Sequence, residues 1–181
     1  MKNQIHLQVG RAKHIALVFS CPGRHEELNG GPVMGKTGEN LSVVLQLISG
    51  KRNLPKEIEL NDLRITNAWD GVLYLEKDSR TEANLNKTEI YSERNLLRLE
   101  TELQDINCLI LCFGYKAHNA VLKIKDRLIP EIKIVRSSHL SLQAINRKIK
   151  RDINGKLLVN GDSENMFKRL EVLSSEILKK L

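Results

Sequence analysis

Cysteine is scarce in this chain. Its 181 residues include three cysteines, Cys21, Cys108 and Cys112. A small, odd number argues against a disulfide framework, and the apolar residues around Cys108 and Cys112 predict that both thiols are buried as small hydrophobic side chains. We therefore expect neither disulfides nor a metal site.

Long hydrophobic runs are also absent. No stretch approaches the ~18 consecutive apolar residues of a transmembrane helix. Residues 1–13 mix charged and polar side chains and contain no apolar segment typical of a signal peptide. We expect a cytoplasmic protein with no membrane partner. The length is typical of a single domain spanning residues 1–181, and we expect that domain to be a monomer.

Acidic residues are outnumbered by basic ones. The chain has 29 Lys and Arg against 22 Asp and Glu, which gives a formal net charge of +7. A positive surplus favours a polyanionic partner, and nucleic acid is the leading candidate. An ordinary basic soluble protein can carry a similar surplus, so charge alone leaves both interpretations open.

Four short apolar runs predict β-strands, at Ile15–Phe19, Leu63–Ala68, Cys108–Phe113 and Ile132–Val135. Segments with helical spacing of apolar residues lie between them, and a helix capped by Ser163 is predicted for residues 163–181. This alternation predicts an α/β fold, with three α/β/α layers and a central, mostly parallel four-stranded sheet. Functional side chains are then expected just beyond the carboxyl ends of the strands.

A basic stretch follows the last predicted strand. Residues 147–151 read RKIKR, and the Asn154–Gly155 pair after them is typical of a hairpin turn. The hairpin is either a solvated surface feature or a phosphate-contacting one, and the sequence favours neither.

The loop after the first strand is rich in proline and glycine. It opens with Cys21–Pro22–Gly23, carries Glu26 and Glu27, and includes further glycines as far as Gly38. Such residues fix a specific backbone around polar side chains, and fixed polar loops after strands usually bind something. The glycine that a phosphate-binding loop needs at its start is missing, so we expect no nucleotide and no other cofactor.

The order of motifs resembles that of a known enzyme family. Residues 22–38 read PGRHEELNGGPVMGKTG, which is similar to the first motif of the uracil-DNA glycosylase superfamily, especially the branch with a Pro-Gly turn, acidic residues and Gly-x-Pro-Phe-x-Gly-x-x-Gly. Three later landmarks follow in the same order after the next three strands: Asn67, Gly114 with Ala117, and His139 within residues 138–141. The resemblance covers roughly residues 14–142.

The resemblance implies a DNA N-glycosylase that flips a base into a pocket and hydrolyses its bond to the sugar. It implies that Asn67 reads the base and that His139 donates to the departing base. Glu26 is our candidate for activating water, with Glu27 next. Our further candidates are a base pocket of Ser20, Cys21, Pro22, Gly23, Val33, Trp69 and Asp70, in which Trp69 and Asp70 would contact a sugar carried by the base, and DNA contacts from Arg24, Lys36, Ser137, Ser138 and Ser141.

The sequence also departs from that branch. Ser20 stands where the branch carries its water-activating Glu, and Val33 replaces the Phe that stacks on uracil. Loss of a base-stacking contact costs on the order of 1–3 kcal/mol and leaves more room. His139 lacks the following proline, and no cysteine quartet is available for an iron–sulfur cluster.

Several functions remain open at this point. The extra room suggests a base larger than uracil, such as the glucosylated hydroxymethylcytosine of viral DNA that an antiphage member of the superfamily excises. The alternatives are a uracil or mismatch repair glycosylase and an inactive DNA-binding module. We expect hydrolysis without strand cleavage, because no lysine is placed as an obvious nucleophile, although Lys36 leaves lyase chemistry open.

Overall fold

The computed structural model describes residues 4–181, apart from the side chain of residue 78. Five strands form one mixed sheet in the order β1-β3-β2-β4-β5. The strands are β1 (Leu7–Gln8), β2 (Ile15–Phe19), β3 (Arg64–Asn67), β4 (Leu109–Phe113) and β5 (Lys133–Ser137). Strands β2 to β5 are parallel to one another, whereas the edge strand β1 pairs antiparallel with β3.

Eight α-helices lie within the described residues, with short 3₁₀ turns at Leu60–Asp62, Glu82–Asn84 and Lys125–Arg127. The helices are α1 (Arg24–Asn29), α2 (Gly35–Ile48), α3 (Leu75–Asp78), α4 (Lys87–Ile90), α5 (Glu93–Leu103), α6 (Tyr115–Lys123), α7 (Leu142–Lys148) and α8 (Ser163–Leu178).

Helices cover both faces of the sheet, because the parallel strands are apolar on both faces. In β2, Ile15, Leu17 and Phe19 pack into one buried cluster together with residues of α2, α7 and α8. The alternate residues Ala16 and Val18 pack into a second cluster with residues of α5 and α6. The α/β class and the two helical layers around the sheet agree with the sequence prediction.

The prediction of a four-stranded sheet was wrong by one strand. Strand β1 has only two residues, too short for any hydrophobic alternation to reveal it, and it forms an antiparallel edge. The predicted burial of Cys108 was also wrong, because Cys108 precedes β4 and is exposed, whereas Cys112 lies inside the strand and is buried. The cap of α8 is Asp162, whose carboxylate accepts from the backbone of Glu164, and not Ser163.

The Asn154–Gly155 turn is part of a minimal hairpin. Arg151 and Leu157 form a single antiparallel bridge across it. The Arg169 side chain of α8 is almost fully buried and donates to the carbonyls of Ile149 and Leu158, which fixes the hairpin to the body of the fold. None of the helices in residues 4–181 combines the length and apolar character that a membrane span needs.

Candidate active site

A cavity of about 170 Å³ lies at the carboxyl ends of β2 and β3. Because these strands are parallel, the loops that follow them meet at one edge of the sheet. The cavity brings together residues far apart in sequence: Phe19, Cys21, Pro22, Gly23, Glu26, Val33, Thr37, Asn67, Leu73, Glu82 and His139. Seven of these are predicted site residues, including Glu26, Asn67 and His139.

Glu26 holds the first loop in shape. One carboxylate oxygen accepts from the backbone N–H of Gly23 at 2.9 Å, and the other accepts from that of Met34 at 2.9 Å. The same loop contains Val33 at a φ of 57°, a strained conformation for a β-branched residue. The Val33 carbonyl lies against Gly38, where an added Cβ would approach its oxygen to 2.4 Å. Glu26 therefore lines the cavity with both oxygens already engaged.

Asn67 ends β3 with its side chain at the cavity. It is 2% exposed, and its Nδ2 donates to the carbonyl of His6 at 3.3 Å. Within residues 4–181 its Oδ1 accepts no hydrogen bond, so the amide oxygen and the second amide proton are available to a ligand. An amide presents a donor and an acceptor in one plane, which matches the edge of a nucleobase.

His139 has a defined tautomer when it is neutral. Its Nδ1 accepts from the backbone N–H of Ser141 at 3.0 Å, so the ring proton lies on Nε2. The ring packs edge-on against Phe19 with the centroids 6.2 Å apart, and Phe19 stacks on Phe113. The imidazole is therefore a hydrogen-bond donor at the cavity on a rigid aromatic base.

Cys21 and Ser20 are neighbours in the sequence, but Cys21 lines the cavity and Ser20 does not. Burial, reinforced by the charges of Glu82 and Glu26, raises the pKa of the Cys21 thiol to about 12, so Cys21 contributes a neutral thiol to the cavity wall. Ser20 is buried beneath the cavity and does not line it. Its hydroxyl has no hydrogen-bond partner within the described part of the chain.

Glu82 is a site residue that sequence reasoning missed. It lies in the 3₁₀ turn between α3 and α4 and is half-buried at the cavity edge. The surrounding sequence, Ser79 to Leu85, has no periodic pattern and no recognisable motif. Only the tertiary structure brings this carboxylate to the ends of the strands.

A groove of about 710 Å³ adjoins the cavity and carries basic residues. Arg147 and Lys148 line it together with Ser138, Ser141 and the exposed Tyr115. A smaller groove beside it is lined by Arg136, Lys180 and Ser137, among others.

The basic groove residues differ in how they are engaged. Arg136 lies over the Tyr115 ring at 5.7 Å, and Lys148 pairs with Glu176 at 3.1 Å. Arg147 is exposed and has no acidic partner in the described residues. A positive groove with an exposed aromatic ring suits a nucleic-acid backbone and its bases.

The predicted serines occupy three different environments. Ser141 caps α7 by accepting from the backbone N–H of Ala144, and it lines the larger groove. Ser138 lines both grooves. Ser137 is buried, and its hydroxyl has no hydrogen-bond partner in residues 4–181.

Four other predicted residues lie away from the cavity. The ladder of β3 continues as the Ala68 and Trp69 backbone N–H groups donate to Phe19 and Ser20, which carries Trp69 and Asp70 past the cavity. These two line a separate space of about 390 Å³, where Asp70 is 3.9 Å from Arg98. Arg24 and Lys36 are exposed and face Glu76 and Glu39, at 3.4 Å and 2.6 Å.

No protein-family model matches the chain, and no curated protein matches it. Within the described residues, no group of three or more His, Cys, Asp or Glu side chains is arranged to hold a metal ion.

Proposed function

We propose that this chain is a DNA N-glycosylase, which flips a base out of DNA and hydrolyses its bond to deoxyribose. The observation that carries the proposal is that Asn67 and His139, from the ends of two different strands, line one small cavity beside a basic groove. A flipped base needs a shaped pocket with polar groups, and the strand that carries it needs a positive track.

The cavity chemistry supports base recognition and departure. The Asn67 amide can pair with the edge of the base, and the neutral His139 ring can donate from Nε2 to the carbonyl on which negative charge develops. The neutral Cys21 thiol and Val33 supply apolar walls. This wall excludes water around the base and strengthens both hydrogen bonds.

The cavity volume bears on the identity of the base. At about 170 Å³ it is smaller than the roughly 300–1,000 Å³ of sites for drug-sized ligands, so a single pyrimidine ring suits it. A bulky substituent, such as the glucose of a modified cytosine, would have to extend into the adjoining groove of about 710 Å³. We keep a modified phage cytosine as the leading substrate, with its glucose sharing the groove with the DNA backbone; uracil or a mismatched base, which needs no such extension, is the alternative.

Hydrolysis is favoured over strand cleavage. Lys36 is exposed, pairs with Glu39 and does not line the cavity, so no lysine among the lining residues can form a Schiff base with the sugar. The product expected is an abasic site in an intact strand.

The test is an assay for alkali-labile sites in three duplexes, which contain uracil, a mismatch or glucosylated hydroxymethylcytosine. We expect the parent chain to produce such sites in at least one duplex. Removal of one pre-organised donor costs about 10²–10³-fold in rate, so Asn67→Ala and His139→Ala should each lose that much activity. Asn107→Ala, at an exposed position before β4, is the control and should match the parent.

Two results would contradict the proposal. A parent chain that binds these duplexes without releasing base from any of them would favour the inactive DNA-binding module. Equal losses in Asn107→Ala and Asn67→Ala would show that the assay reports folding and not the site.

A further inference from the structure

The cavity and the larger groove share two lining residues, Glu82 and His139. If the base occupies the cavity and the DNA backbone the groove, the bond between C1′ and the base lies at the border between them. The two shared residues are therefore the ones beside the bond that breaks. His139 is a hydrogen-bond donor there, and Glu82 is a carboxylate.

Three carboxylates near this edge differ in how their oxygens are engaged. Both oxygens of Glu26 accept backbone N–H groups. Both oxygens of Glu27 accept side-chain donors, from Tyr74 and Lys77, and this pairing lowers the pKa of Glu27. Across residues 4–181, the Glu82 carboxylate takes part in no hydrogen bond and no ion pair. The carboxylate is therefore free to accept a hydrogen bond, and then one proton, from a water molecule.

The backbone of Glu82 is fixed although its carboxylate is not. Lys116 of α6 donates from Nζ to the carbonyls of Glu82, Ala83 and Leu85, the last at 2.7 Å. Leu85 is itself buried in the core. The anchored turn therefore holds the backbone of Glu82 at the border between the cavity and the groove.

Space for a water molecule exists beside Glu82, because the cavity that it lines has a volume of about 170 Å³ and one water needs on the order of 10–15 Å³. A Cβ on Gly114 would lie 3.9 Å from a Glu82 carboxylate oxygen and 3.3 Å from the Ser20 hydroxyl. The Ser20 hydroxyl and the Glu82 carboxylate therefore lie on the same side of Gly114, close to the position that a side chain would take. The Ser20 hydroxyl is buried and has no partner among the described residues, which is the situation that an ordered water commonly relieves.

We infer that Glu82 is the catalytic carboxylate that activates the hydrolytic water. The inference rests on the proposed function. The water oxygen bonds to C1′ and gives one proton to the Glu82 carboxylate, while the bond from C1′ to the base breaks and its electron pair leaves with the base. The base takes up a proton from solvent, and Glu82 returns its own to solvent. One water molecule is consumed for each base released.

The experiment compares Glu82→Gln with the parent in single-turnover base release, on whichever of the uracil, mismatched and glucosylated duplexes the parent cleaves. General base catalysis contributes about 10²–10⁴-fold, so we expect Glu82→Gln to lose at least about 100-fold in rate. Its Kd for the same duplex should stay near that of the parent, because the amide has nearly the same shape. The acid limb of the parent's pH–rate profile should disappear.

Three further variants keep the result interpretable. Glu82→Asp retains a carboxylate one methylene further back and should recover part of the rate that Glu82→Gln loses. Glu57→Gln, an exposed carboxylate, should match the parent. Glu26→Gln should retain the acid limb, since that carboxylate is engaged by the backbone.

The outcomes separate the two proposals. An active parent with an equally active Glu82→Gln would overturn the role of Glu82 and leave the glycosylase proposal intact. The same holds if Glu26→Gln, and not Glu82→Gln, removes the acid limb. A parent that releases no base from any of the three duplexes would overturn both proposals together.

Discussion

Two groups of polar side chains near the end of β3 differ in how completely their hydrogen-bonding atoms have partners. The Glu102 cluster consists of His6, Arg64, Thr66, Arg98 and Glu102, and the cavity-edge group consists of Asn67, Glu82 and His139 together with the buried Ser20 beneath them. In the Glu102 cluster, one carboxylate oxygen accepts from His6 at 3.0 Å, and the other accepts from Arg98 at 2.6 Å and from Thr66. In the cavity-edge group, the Ser20 hydroxyl and the Glu82 carboxylate have no partner among the described residues.

The difference separates structural from functional polarity. A buried charge is tolerated when its partners are complete, and the Glu102 cluster meets that condition. Buried polar atoms without partners are rare in folded proteins and call for an explanation. Four such side-chain atoms occur in the described residues, and two of them belong to Ser20 and Ser137 at the carboxyl ends of β2 and β5. The arrangement suits a surface that is completed by a ligand.

The largest expected effect is a loss of folding stability when the Glu102 cluster loses its carboxylate. Glu102→Ala would leave Arg98 and His6 without their carboxylate, and removal of one partner from a buried pair costs about 3–5 kcal/mol. We expect the free energy of unfolding in urea to fall by that amount, while Glu57→Ala at an exposed site should change it little. If Glu102→Ala lost base release but kept its stability, the distinction between the two groups would fail.

A smaller loss of folding stability is expected when the pH is lowered. Burial raises the pKa of Glu102, but the hydrogen bond from His6, the charge of Arg98 and the hydroxyl of Thr66 outweigh it, and the folded-state pKa lies below the ordinary value of 4.5. A carboxylate of this kind stabilises the fold fully above its unfolded-state pKa, and the contribution is lost as pH falls through the lower folded value.

The measurement is the urea midpoint between pH 7 and pH 3. The parent should lose stability below the ordinary carboxyl pKa more steeply than Glu102→Gln, which has no proton to bind there. Parallel curves for the two proteins would show that other carboxylates govern the acid response.

The smallest expected effect is on the salt dependence of DNA binding, after removal of one basic side chain from the larger groove. Arg147→Gln removes one exposed guanidinium that has no acidic partner in the described residues, and loss of a single phosphate contact reduces the salt slope of DNA binding by about 1. Arg127 pairs with Glu93 and Glu100, so Arg127→Gln is the matched control and should leave the slope unchanged. Equal changes in both variants would mean that net charge, and not the groove, sets the affinity.

Much of the fold could be predicted because the parallel strands are continuous apolar runs. The runs beginning at Ile15 and Leu109 lie in the centre of the sheet, where both faces are buried, so each is readable without tertiary information. Strand β1 could not be predicted, since two residues carry no period. Cys108 was misjudged because it lies one residue before β4, where burial changes abruptly.

The candidate site was predictable only in part. Glu26, Asn67 and His139 follow strands, and the ends of parallel strands converge, so their meeting in one cavity follows from topology. Trp69 is only two residues after Asn67, yet the continued ladder between Ala68 and Phe19 takes it to a different space. Sequence proximity to a strand end does not fix which side of the sheet a side chain faces.

The sequence by itself determined the four parallel strands and the helical segments between them, the glycine-rich loop after β2 and the polar residues at the strand ends, because these depend on local pattern. The tertiary structure decided which carboxylate at the cavity keeps its oxygens unengaged. Glu26 is engaged by its own loop through backbone N–H groups, while Lys116, 34 residues further along the chain, holds the turn that brings Glu82 to the cavity. Contacts of that range have no signature in a single sequence.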